Sequence, residues 1–209
     1  MKKSLYIIVL SFFLPVLLNA QWKSFTFKAG YYTPYDLKSG FMYGIDYGTL
    51  INENVAFLIS GDLYYRNIRN DSYLGSSERL GIKVNEGQRL DEWVGWHLPI
   101  TAKIRVEFPV NRSLITPFAI GGVGYGITRV SYETFDAASD DLSTSSLTYH
   151  GVVWQLGGGI MYHLGHNSNL LFEVMHNSAN FEKEEKNHYF TRLNSSGVMF
   201  RLGINFSFF

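Results

Sequence analysis

The chain has 209 residues and balances 18 Lys and Arg against 18 Asp and Glu, which argues against gathering nucleic acid by an overall field. It has no cysteine, which removes disulfide scaffolds, thiolate zinc sites and thiol nucleophiles. Aromatic residues make up 16% and glycines number 20, a blend suited to strands and membrane interfaces rather than helices.

Residues 1–20 read as a secretory signal peptide. Lys2 and Lys3 precede an apolar run from Leu5 to Leu18, broken only by Ser11 and Pro15, and Asn19-Ala20 supplies a small residue for cleavage. The run is too short for the roughly 20 apolar residues of a helical span. Residues 21–209 then form a single domain, in which no apolar run is long enough for a spanning helix.

The rest of the chain alternates with a period of two. Residues 23–32 set Phe25, Phe27, Ala29 and Tyr31 against Thr26, Lys28 and Gly30, and residues 41–50 set Phe41, Tyr43, Ile45 and Tyr47 against Met42, Gly44, Asp46 and Gly48. Residues 55–66 place Asp62 and Arg66 opposite Phe57, Ile59 and Leu63. Residues 98–108 are sharper, with Leu98, Ile100, Ala102, Ile104, Val106 and Phe108 interleaved by Pro99, Thr101, Lys103, Arg105 and Glu107. Residues 115–128 form a glycine-rich strand whose facing is ambiguous, with a pattern shift at Ala119–Gly122 that suggests a bulge. Residues 153–164, 170–178 and 197–208 complete a set of eight, the last two carrying Glu173 and Arg201 among apolar neighbours.

Segments of about ten residues suit a tilted crossing of a bilayer, and only a closed barrel leaves no strand edge in lipid. The expected fold is an all-β, eight-stranded, up-and-down antiparallel transmembrane barrel. The turns at 51–54, 109–114 and 165–169 are short and read as periplasmic, whereas 33–39, 67–89, 130–149 and 180–192 read as outer loops, leaving both mature termini periplasmic. The charged face, made of Lys28, Asp46, Asp62, Arg66, Lys103, Arg105, Glu107, Glu173 and Arg201, belongs inside. Its near-balance of sign predicts a packed network of ion pairs in a bore that side chains fill. Trp22, Trp93, Trp96, Trp154, Tyr31, Tyr65 and Tyr125 fall near strand ends, as interface girdles do.

The C-terminal run ending in Phe208-Phe209 resembles the terminal aromatic signal of bacterial outer-membrane barrels, which implies recognition by the barrel assembly machinery. The strands HLPITAKIRVEF at 97–108 and TPFAIGGVGYG at 116–126 resemble those of small Bacteroidetes-type and OmpA/OmpX-like barrel domains. That resemblance implies an outer-membrane location, with lipid and lipopolysaccharide around the barrel. The partner of its outer loops is not specified.

The catalytic candidate is HNSAN at 176–180. It resembles the His-x-Ser-Asn-Ala motif of outer-membrane lipid A 3-O-deacylases, which maps their catalytic pair onto His176 and Ser178. An imidazole can take the proton of an attacking serine. The order here is Ser-Ala-Asn, however, and the last strand holds no acid to complete a triad. The alternative is a set of polar residues leaving the membrane at a loop mouth. Gly121, Gly122, Gly124 and Gly126 read as strand glycines, since no helix follows to make a phosphate loop. His163 and His166 straddle a turn without a carboxylate, and Glu182–Lys186 reads as a solvated loop tip. The expectation is a non-enzymatic barrel without cofactor or metal, with a lipid A-modifying esterase as the second reading.

Overall fold

The structure, a computed structural model, describes residues 22–69, 88–136, 141–182 and 192–208. Eight strands follow one another antiparallel: β1 (Lys23–Pro34), β2 (Gly40–Asn52), β3 (Val55–Arg69), β4 (Gln88–Glu107), β5 (Ile115–Asp136), β6 (Asp141–His163), β7 (Ser168–Ser178) and β10 (Gly197–Phe208). They close into a barrel in which β1 pairs with β10. Two three-residue strands, β8 (Asn180–Glu182) and β9 (Arg192–Asn194), form a small separate hairpin between β7 and β10.

Alternating aromatic and β-branched residues suit the pleat, and the closed ladder satisfies the backbone. The register fixes the stagger. Following partners once round from Tyr32, through Met199, Met175, Gly157, Ile120, Arg105 and Ala56, the path arrives at Leu50, ten residues along β2 from Gly40, the direct partner of Tyr32. A stagger of that size tilts the strands and leaves a bore only wide enough for side chains.

The two faces divide by parity. Phe27, Tyr43, Ile59, Ile100, Ile104, Leu156, Phe172, Phe200 and Ile204 are among the large apolar side chains left exposed on the outside. Lys28, Asp46, Asp62, Lys103, Glu173 and Arg201 are buried within. Outward aromatics include Tyr31, Tyr65, Tyr125 and Trp154, with Trp22 and Trp96 half-buried. The side chain of Trp93 lies outside the described residues.

Three expectations are corrected. The segment 130–149 is mostly strand, because β5 runs to Asp136 and β6 starts at Asp141. There the outward positions Arg129, Ser146, Thr148 and His150 are polar while Val130 and Tyr149 are buried on the inner face, so the apolar-outside pattern of the membrane band inverts, and strand preference persists in Val130, Tyr132, Thr134, Thr144 and Tyr149. Similarly, β4 begins at Gln88 and β3 ends at Arg69, and residues 70–87 of the expected 67–89 loop lie outside the described residues.

There is also no bulge at Ala119–Gly122, because β5 holds one register against both β4 and β6 through that stretch. Thr116, Phe118, Ile120 and Thr128 point inward while Val123 and Tyr125 point out. Phe118 and Ile120 are apolar residues on the inner face, and they erased the polarity contrast. The register shifts lie instead at Leu50/Asn52 and at Leu90/Glu92.

Ile104 is 51% exposed on the outer face, where a charge at the bilayer midplane costs about 2–4 kcal/mol. Ile104→Arg should therefore lose stability on that scale when folded into lipid vesicles, while Ile104→Val should lose less than half as much. Equal losses in a denaturant titration would place Ile104 off the lipid face.

Candidate functional site

Strands β1, β2, β3, β4, β7 and β10 each send one long ionic side chain into the middle of the bore. The charges alternate along a single path, Asp46–Lys28–Glu173–Arg201–Asp62–Lys103. Lys28 Nζ lies 2.7 Å from Asp46 Oδ2 and 3.7 Å from Glu173 Oε1. The Arg201 guanidinium reaches Glu173 with Nη2 and donates from Nη1 to Asp62 Oδ1 at 2.6 Å. Lys103 Nζ lies 3.3 Å from Asp62 Oδ2 and donates to Ser60 Oγ at 2.8 Å. All six are at most 2% exposed, and three bases offset three acids.

The path depends on glycines placed across the sheet. Glycine is registered directly opposite five of the six charges: Gly203 opposite Lys28, Gly30 opposite Arg201, Gly44 opposite Asp62, Gly122 opposite Lys103 and Gly159 opposite Glu173. A Cβ on Gly44 would sit 2.2 Å from Asp62 Oδ1, and one on Gly122 would sit 2.6 Å from Lys103 Cγ. The strand glycines are thus notches for ionic stems in a bore that cannot otherwise hold them.

Three other sequence-predicted charges stand apart from this path. Arg105 pairs with Glu107 at 3.0 Å near the end of β4, where Glu107 is partly exposed, and the Arg105 guanidinium lies 6.0 Å from the Phe118 ring centroid. Arg66 has the inward parity but is exposed, because β3 has by then passed the last residue it shares with β2, Tyr64. This corrects its expected place in the interior network.

Polar layers lie on either side of the ions. Toward the termini, Asn205 Nδ2 donates to Ser24 Oγ at 2.7 Å and to Thr26 Oγ1 at 2.8 Å, and Asn169 Nδ2 donates to Asn205 Oδ1 at 3.2 Å. His163 joins this chain through Asn169 Oδ1 at 2.6 Å and Thr116 Oγ1 at 2.9 Å. On the opposite side, Gln155 Nε2 donates to Asn177 Oδ1 at 3.1 Å, Asn177 Nδ2 to Tyr32 Oη at 3.0 Å, and His97 Nδ1 meets Thr128 Oγ1 at 2.7 Å. The Tyr32, Tyr64 and His97 rings cluster there, with centroids 5.5 Å (Tyr32–Tyr64) and 6.2 Å (Tyr32–His97) apart. Between this cluster and Asp62 the remaining space, bounded also by Met42 and Met199, is too narrow for a water molecule.

The hairpin of β8 and β9 turns back over this end. Phe181 is 1% exposed, its ring 6.1 Å from that of His97 and against Gly126 and Gly151, a registered pair that leaves room for it. The Ser195 carbonyl accepts from the Tyr32 hydroxyl, and the Tyr35 amide donates to the Ser196 carbonyl at 2.8 Å. The sequence pattern did not reveal Phe181 or Ser195, because the strand alternation stops before them. Tyr32, His97 and Asn177 share the parity of Lys28, Lys103 and Glu173, and that signal could have found them.

His176 and Ser178 lie on the outer face of β7, half-buried. The registered neighbours of His176 are Leu156 and Val198, and Ser178 is registered with Trp154. The His176 ring lies 5.4 Å from that of Trp154, and no carboxylate stands among these neighbours. Phe208 is exposed at the end of β10, and Phe209 lies outside the described residues, as do Lys183–Lys186. Among the described residues no group of three His, Cys, Asp or Glu could hold a metal ion.

The family model of the outer membrane protein beta-barrel domain matches residues 10–208, so the chain belongs to that family. It is an outer-membrane protein, and its outer face meets lipid and lipopolysaccharide. In structure it is similar to the Neisserial surface protein A (16% identity, TM-score 0.56, covering 90% of this chain and 98% of that one). It is also similar to OprG from Pseudomonas aeruginosa (14%, 0.52, 90% and 96%). A third similar structure is the attachment invasion locus protein of Yersinia pestis with sucrose octasulfate (12%, 0.52, 90% and 99%). These likenesses are of fold. No curated protein matches the sequence.

The notch geometry sets an expected difference between two single-atom additions. Gly44→Ala drives a Cβ into the Asp62 carboxylate that Arg201 holds, an overpacking cost of about 1–3 kcal/mol. Gly61→Ala meets nothing within 4 Å and should leave stability unchanged or slightly raised. Urea unfolding of both variants in vesicles checks the difference, and equal midpoints would refute the notch role.

Proposed function

We propose that this outer-membrane barrel is a closed, non-enzymatic envelope protein, exported by removal of residues 1–20, whose bore does not conduct and whose functional surface is its outer hairpins. One observation carries the reading: six alternating charges buried in the bore, compensated by one another and leaving no fixed charge to attract an ion. The narrow space above Asp62 and the seat of Phe181 over Gly126 and Gly151 support it further.

In this reading both mature termini are periplasmic, since the connections 53–54, 108–114 and 164–167 are short, and short turns face the periplasm. The long strands β4, β5 and β6 then carry the chain beyond the outer surface. There they offer backbone and polar side chains for contact with other molecules or for protecting the envelope. Phe208 and Phe209 serve as the signal for the barrel assembly machinery. Lipopolysaccharide surrounds the outer rim.

The esterase reading is not favoured. A serine–histidine pair needs a third group to fix the imidazole tautomer and stabilise its charge. His176 has Leu156, Val198 and Trp154 beside it instead.

The purified barrel should give no steady conductance in a planar bilayer, and stable ohmic channels from the monomer would reject a closed bore. Mass spectrometry of lipid A from cells making the wild type, Ser178→Ala or no protein should give one common profile. Loss of an acyl chain in the wild type alone would establish the esterase instead.

A further inference from the structure

The narrow space between the Tyr32–Tyr64–His97 cluster and Asp62 brings together a set of soft donors. Two methionines border it, Met42 of β2 and Met199 of β10, each at most 2% exposed. His97 of β4 borders it as well. Among the described residues its buried Nε2 has no hydrogen-bond partner, although a buried polar atom is ordinarily paired. The other ring nitrogen, Nδ1, meets Thr128 Oγ1 at 2.7 Å, and a proton at Nδ1 in that bond leaves the lone pair of Nε2 unshared.

The methionines are placed by the register. The sequence has five, and the four beyond Met1 (Met42, Met161, Met175 and Met199) are all buried on the inner face. Met42 is registered with Gly30 and Met199 with Tyr32, so the two flank β1 from its neighbouring strands. Met175 is registered with Met199, but the Arg201 guanidinium already occupies its sulfur. The available thioethers are therefore those of Met42 and Met199. Leu58 and Leu171 show that aliphatic side chains also fill this bore, so its width does not require methionine.

We infer that Met42, Met199 and His97 form a buried binding site for a cuprous ion. Thioether and imidazole are ligands that suit Cu(I), and all three are neutral. The space is too narrow for water, which excludes hydrated ions and organic ligands, whereas an ion held by direct bonds from the walls needs no such room. Hard divalent ions call for oxygen donors, and Asp62 has both carboxylate oxygens engaged, Oδ1 by Arg201 and Oδ2 by Lys103. Asp62 still places negative charge beside the cavity, and the Tyr32 ring, stacked on His97, offers its π face to a cation. Thr128 orients the imidazole as the outer partner of a metal-bound histidine does.

The test loads the whole folded barrel in detergent with copper kept cuprous by ascorbate, in competition with a chromophoric Cu(I) chelator. The wild type should take up a single equivalent, and X-ray absorption should show sulfur and nitrogen around the metal. Met42→Leu/Met199→Leu, a nearly volume-conserving change, should take up none at the chelator concentration that the wild type withstands. His97→Gln should bind at least roughly tenfold more weakly, and Met161→Leu, outside the cavity, should match the wild type. Zinc should not bind. Gel migration that still shifts on heating would show that each variant is folded. Absence of uptake by the wild type, copper retained by the double variant, an unchanged affinity in His97→Gln, a copper shell without sulfur, or zinc filling the site would overturn the inference.

Discussion

The closure of β1 on β10 is the constraint from which the rest of this structure follows. In hydrocarbon an unpaired strand edge would leave a row of amides and carbonyls without partners, each costing several kcal/mol. Twelve registered pairs from Lys23–Phe208 to Pro34–Gly197 remove that edge. Closing at eight strands with a ten-residue stagger then fixes the bore, and the bore fixes how much side-chain volume it can hold. Ionic stems fit only because Gly30, Gly44, Gly122, Gly159 and Gly203 face them across the sheet.

A buried ion is expensive, and in such a bore the cost is met only by partners that are themselves ionic and well placed. The order of the path matters as much as its balance. Glu173 touches both Lys28 and Arg201, and Asp62 touches both Arg201 and Lys103, so each inner member is compensated from two sides. Removing Arg201 would leave Glu173 with Lys28 alone and Asp62 with Lys103 alone. The Asn205–Asn169–His163 chain and the Gln155–Asn177–Tyr32 chain continue the satisfaction of polar groups on both sides of the ions, the second joining the ions through Gln155 Nε2, 3.5 Å from Asp62 Oδ2.

Much of the fold was legible because lipid and bore impose opposite chemistry on alternate residues. Lys103 and Arg105 between Ile100, Ile104 and Val106 can face only one way. The facing of β5 was not legible, since Phe118 and Ile120 fill the bore with the same apolar chemistry that faces lipid. The upper halves of β5 and β6 were hidden for another reason, because polar residues such as Arg129, Ser146 and Thr148 stand outward there while Val130 and Tyr149 are buried within, which reverses the contrast of the membrane band. Parity identified the six charges but gave no pairing, because the order Asp46–Lys28–Glu173 depends on which strands become neighbours on closure. Phe181 could not be read at all. Its burial depends on a gap between Gly126 and Gly151, which lie far from it in sequence.

The buried charges also specify the register. Side chains alternate with a period of two, so a slip by one residue would exchange the two faces of a strand. With an aliphatic interior such a slip would cost little, since both faces would be acceptable to lipid. Here it would turn Lys103 and Arg105 of β4, or Arg201 of β10, into the hydrocarbon, at about 2–4 kcal/mol for each near the midplane. It would also move Gly122 away from Lys103 and Gly30 away from Arg201, so the misplaced strand would lose its notches as well. A slip by two residues preserves the faces; toward Ile120 it takes the glycine away from Lys103, and toward Gly124 it keeps a glycine there but moves Lys103 along the bore from Asp62. Closure therefore demands a polar bore of fixed width, and charges fitted to glycine notches make one register the stable solution.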